Sequence, residues 1–116
     1  MANTFKVITK AGVTSADIIY TVAGTTTTVI LGLVLGNTTA SQINATVTLS
    51  SDTSNRAGAN NEANQNVELV TSVPIPAQSS LELLSGNKVV METTDTLSVT
   101  GTGATDVCLS VMEITP

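Results

Sequence analysis

The sequence predicts an all-β protein, an antiparallel β-sandwich of jelly-roll type built from eight to nine short strands. Three observations predict it. Threonine (21) and valine (14) are the commonest of the 116 residues, and both are stiff, β-branched side chains that suit a pleated surface. Apolar positions alternate with polar ones, and no segment carries them at i, i+3, i+4 and i+7 over three turns. Turn signals recur about every 8–12 residues, the spacing of sandwiches and closed sheets.

The strands follow in order. Phe5, Val7 and Thr9 alternate with lysines, giving a first strand over 4–10. A second spans 18–22 and is closed by Ala23-Gly24. The third, 29–35, is apolar on both faces, with Val29, Leu31, Leu33 and Leu35 on one side and Ile30 and Val34 on the other. Such a strand is central and covered twice, by a second sheet or by a neighbouring subunit. Ile43, Ala45, Val47 and Leu49 alternate with Asn44, Thr46, Thr48 and Ser50, the pattern of a strand with one wet face. Val67 and Leu69, with Thr71 and Val73, form the next strand, which Pro74-Ile75-Pro76 ends. Strands at 81–84 and 89–92 are expected as a hairpin around Gly86-Asn87, where positive φ is tolerated. Leu97 and Val99 lie on a further strand, Gly101-Thr102-Gly103-Ala104 is expected to be a flexible connection, and the last strand covers 107–114.

Length and composition bound the function. A chain of 11.8 kDa holds one compact domain, here 1–116. Histidine and tryptophan are absent, aromatics are one Phe and one Tyr, and charged residues are 11%. That removes imidazole bases and His metal ligands, so the chain is expected not to be an enzyme and to need no cofactor or metal. Net charge is −5, and the four basic residues Lys6, Lys10, Arg56 and Lys88 are scattered. Nucleic acid and anionic membrane surfaces, which need clustered cations, are therefore not expected partners. Met1 to Lys6 lacks the regions of a signal peptide, and the longest apolar run is far short of about 20 residues, so synthesis in a cytoplasm is expected.

Individual residues offer little chemistry. Cys108 lies in an apolar run with no basic neighbour to lower its pKa and is expected to be a small buried hydrophobe. Asp52, Asp95 and Asp106 lack the dense spacing of a calcium loop and read as turn formers. Glu82 and Glu92 sit on outward positions with no aromatic platform for a sugar beside them, which argues against a glycosidase pair. The run Thr25 to Thr28 lacks the fixed repeat of an ice-binding face. Residues 51–65 form a polar, low-complexity loop, long enough to be either a contact loop or a solvated tip.

Several stretches carry a family likeness. They are Met1 to Lys6, Ile19-Tyr20-Thr21-Val22-Ala23, Val29-Ile30-Leu31-Gly32-Leu33-Val34-Leu35-Gly36-Asn37 and Val73-Pro74-Ile75-Pro76-Ala77. The C-terminal third adds the pattern Leu-x-Leu-x-x-Gly-x-Lys-x-Val-x-Glu at 81–92, then 94–100 and 109–114. Together these resemble the small virion structural proteins of tailed phages, especially phages of marine and freshwater cyanobacteria. The resemblance implies no active site. It implies a capsid decoration, or cement, protein on the outer surface of the virion, bound to the major capsid protein or another virion protein and associating with itself, as a trimer in the favoured arrangement. A neck, collar or tail-attached accessory protein is the alternative, and a host-binding fibre module is a more distant one. Expected contact residues are Thr4, Phe5 and Lys6, on a first strand that either extends a neighbour's sheet or forms an ordinary intrachain edge. Asn55, Arg56, Asn60 and Asn61 in the long loop are the other expected contacts.

Overall fold

The computed structural model describes residues 2–51, 65–84 and 87–116, and nine strands lie among them. They are β1 (Ala2–Val13), β2 (Asp17–Thr21), β3 (Thr27–Asn37), β4 (Ile43–Ser51), β5 (Gln65–Ile75), β6 (Ser80–Leu83), β7 (Val89–Met91), β8 (Thr96–Gly101) and β9 (Thr105–Thr115). Every pairing is antiparallel. One sheet runs β1-β9-β3-β6, with β7 also on β3, and the other runs β2-β8-β4-β5. The predicted all-β class is the observed one.

β6 and β7 do not form the expected hairpin. Leu83 lies opposite Leu33 and Val89 opposite Ile30, so the two segments run in line along one edge of β3. The long apolar edge of β3 offers partners to both, and a reversal between them would leave part of it unpaired. Counted as one interrupted strand, they complete four strands on each side, in the order of an eight-stranded jelly roll.

The core lies between the sheets. Ile30, Leu33, Leu35, Val107, Leu109 and Val111 point inward from the first, and Ala45, Val47, Leu97 and Val99 from the second. All are aliphatic, and truncating one of the leucines is expected to cost about 2–5 kcal/mol. Deep burial of both β8 and β4 follows directly from their strict alternation.

Three local expectations are corrected. In β3 the pairing with β9 shifts between Ile30 and Gly32, so Leu33 and Leu35 share the inner face with Ile30, while Val29 and Val34 turn outward. A bulge inverts the phase of everything beyond it. Pro74 does not stop β5: the strand reaches Ile75, because β5 is a sheet edge where a missing N–H leaves no ladder bond unmade. The connection at Gly101-Thr102-Gly103-Ala104 is a packed corner rather than a loose joint. Thr102 N–H donates to Asn44 O at 3.0 Å, and Asn44 N–H to Thr102 Oγ1 at 2.9 Å. A Cβ on Gly101 would lie 2.9 Å from Val13 O and 2.8 Å from Gly103 O, which explains glycine there.

Candidate interaction surfaces

Register assigns each residue of the first sheet to a face. Val111 and Leu109 are buried, so their strand neighbours Met112, Ser110 and Cys108 face outward. Residues opposite one another share a face. Phe5, Val7 and Thr9 of β1 therefore stand outward beside Met112, Ser110 and Cys108, and Val29, Gly32 and Val34 of β3 continue the rows. Val90 of β7 extends the row of Phe5, Met112 and Val29. Phe5 is 71% exposed, Val7 63% and Val90 58%. The strand positions of these rows carry one charged side chain, Glu82 opposite Val34, and Asp106 follows beyond Cys108.

The outer face of the second sheet has the opposite chemistry. Thr46 pairs with Thr100, Thr48 with Ser98 and Ser50 with Thr96, giving a ladder of hydroxyls. Ser50 Oγ donates to Asn66 Oδ1 at 2.6 Å, and Thr46 Oγ1 accepts from Ser72 N–H at 2.9 Å. Ile18 is the one large exposed hydrophobe of β2, β8 and β4 on this sheet. The sandwich is thus apolar outside on one sheet and hydroxylic on the other.

Cys108 corrects its expectation. It is exposed, on the outer face between Thr9 and Val34, because β9 alternates Val107, Leu109 and Val111 inward with Cys108 and Ser110 outward.

The expected contact residues divide. Phe5 belongs to the apolar face. Thr4 and Lys6 lie on the other face of β1, and Lys6 Nζ pairs with Glu113 Oε1 at 2.8 Å. Asn55, Arg56, Asn60 and Asn61 lie outside the described residues, as does Asp52. β1 pairs along its length with β9 and forms the edge of its sheet. That edge carries devices that discourage a further strand. Lys6 and Lys10 point inward, and a bulge between Lys10 and Val13 holds Gly12 at φ +68°. The Gly12 N–H donates to Asp106 Oδ1 at 3.0 Å.

Polar side chains close the side of the sandwich where β1 and β2 meet. Lys10 Nζ lies 3.5 Å from Asp17 Oδ2. Tyr20 donates its phenol proton to Glu113 Oε2 at 2.5 Å and lies 2.7 Å from Thr28 Oγ1. Burial, with Glu113 alongside, pushes the Tyr20 phenol up to about 12. The hydrogen bonds from Lys6 and Tyr20 hold the Glu113 carboxyl below its ordinary value. At the far end, buried Asn37 ties three segments: its Nδ2 donates to Ser41 O, Ile75 O and Pro76 O, and its Oδ1 accepts from Thr39 N–H and Oγ1. Asp95 Oδ2 accepts from Glu92 N–H at 3.0 Å in a turn. Among the described residues no three His, Cys, Asp or Glu side chains gather to hold a metal.

No protein-family model matches the sequence, and a comparison with curated proteins found no match. Two solved structures are similar to this chain at a distance. One is a protein of the Bacillus endospore appendages, described as a novel family of disulfide-linked pili. It is 15% identical over 99% of this chain and 88% of that one, with a TM-score of 0.46. The other comes from the IBDV viral particle, at 11% identity over 96% of this chain, with a TM-score of 0.33. This chain spans about a third (35%) of the viral one. Both are too distant to carry a function across.

Proposed function

We propose that this chain is a non-catalytic structural component of a virion, and specifically a capsid decoration protein. It binds the outer shell as a homo-oligomer and reinforces contacts between major capsid subunits. One observation carries the reading, through its self-associating part: the outer face of β1, β9, β3 and β7 is apolar and open, while the opposite outer face is a hydroxyl ladder. A sandwich that needed only to stay in solution would be served by two faces of the second kind. An exposed apolar patch of several hundred Å² marks an association surface. The jelly roll is an architecture that viral shells use, an analogy at the level of fold that agrees with the reading without proving it.

The mechanism is adhesion. Interfaces of roughly 800 Å² per partner, repeated across a lattice, raise the effective concentration at the surface, so modest single contacts add to durable attachment. The test is to mix the purified protein with expanded empty phage shells. Attachment with a higher shell melting temperature supports the reading, and the absence of both effects overturns it. Hundreds of copies per particle would favour the shell over a neck ring.

A further inference from the structure

We infer that the apolar outer face of the first sheet is where two copies of this chain meet, sheet against sheet, as a twofold pair. This rests on the self-associating part of the reading above and not on the shell.

Shape supports it first. Phe5 stands out from β1 as a knob. Gly32, one row along on β3, is a notch: a Cβ placed there would meet nothing within 4 Å. The two are separated by about 10 Å across the strands and about 7 Å along them. A twofold axis in the plane of contact, passing between them over β9, sets Phe5 of each copy above Gly32 of the other. Knob and notch on one surface are the self-complementarity an isologous contact requires. Glycine within a strand often marks a place where another chain approaches closely.

Charge and area agree. Each copy carries a net charge of −5, so copies repel wherever acidic residues face each other. The rows of Phe5 and Val7 carry no charged side chain, and Glu82 and Asp106 lie towards one end. Four strands about 4.8 Å apart, over the eight residue-to-residue steps from Asp106 to Ile114, project roughly 500 Å². A face covered with side chains exposes more area than its projection, which approaches the roughly 800 Å² per partner of a stable interface. Association through the edge of β1 is disfavoured by its inward lysines and its bulge. Like face on like face closes at two copies, so the pair replaces the threefold cluster implied by the family resemblance.

Sedimentation of the purified full chain tests the pairing without any shell. The wild type is expected at twice the 11.8 kDa chain mass. Gly32→Leu, whose Cβ would meet nothing within 4 Å in its own chain, and Phe5→Glu are each expected to weaken pairing at least about tenfold. Ile18→Glu on the hydroxyl face should leave it unchanged. Because Cys108 lies on the contact face, its alkylation should slow as protein concentration rises through the pairing range. A monomer or trimer, Cys108 reactivity independent of concentration, or equal effects of the Ile18 and Gly32 changes would overturn the pairing. A paired protein that fails to bind shells would overturn the decoration role alone.

Discussion

The phenol of Tyr20 donates to the carboxylate of Glu113 at 2.5 Å, joining β2 of one sheet to β9 of the other. The same carboxylate holds Lys6 at 2.8 Å, and the Tyr20 oxygen lies 2.7 Å from Thr28 Oγ1. This polar chain seals the side of the sandwich that aliphatic packing leaves open. Tyr20→Phe removes the hydroxyl that buried Thr28 faces while keeping the ring. A loss of about 1–3 kcal/mol is expected, the usual cost of orphaning a buried polar group. Urea unfolding of the variant against the wild type checks it.

The same contacts make stability depend on pH in two windows. Glu113 has a folded pKa below its unfolded value near 4.5, so its contribution is complete above that value and is lost as pH falls through the folded one. Tyr20 has a folded pKa near 12 against 10.0 unfolded, so its contribution is complete below about 10 and is lost as pH rises towards 12. Tyrosinate absorbance reads the second window directly, because the chain holds a single tyrosine. The absorbance should rise near 12 in the folded protein and near 10 in urea.

Asn37 is expected to be the most sensitive polar position. Asn37→Ala leaves Ile75 O and Pro76 O without their side-chain donor, at about 1–3 kcal/mol for each group left unsatisfied. Asn37→Asp should be at least as damaging, since a carboxylate would then face those carbonyls. Thermal melts of the two variants rank them.

Gly101→Ala places a methyl group 2.8 to 2.9 Å from two backbone oxygens. Overpacking against backbone is expected to cost about 1–3 kcal/mol or more. Gly32→Ala, in open space, should leave the unfolding midpoint almost unchanged, so the pair of melts separates packing from glycine's general weakness in strands.

Strand positions were legible in the sequence because each is a local pattern. Ile43, Ala45, Val47 and Leu49 alternate so cleanly that β4 begins at the expected residue. Phase and pairing were less legible, because partners distant in the chain set them. The bulge at Leu31 and Gly32 arises from pairing with β9, and nothing within 29–35 announces it. β6 and β7 look like a hairpin locally and become one interrupted strand only beside β3.

The apolar face was half visible. Cys108 and Ser110 occupy the outward phase of β9, a signal that the hydrophobic company of Cys108 obscured. On β1 the binary pattern would bury Phe5 and Val7, and the structure leaves both exposed on the outer face, with Lys6 and Lys10 on the opposite face of the strand and half exposed themselves. Glu113 and Asp17 receive Lys6 and Lys10, and neither partner can be read from the first strand alone.

A side-chain-resolution reconstruction of the assembled particle tests the central claim most directly. The expected result is density for this chain on the outer shell, with Phe5, Met112, Val29 and Val90 covered by protein and Thr46, Thr48 and Thr100 facing solvent. Particles without the chain, or with the hydroxyl ladder buried and Phe5 in water, would contradict it.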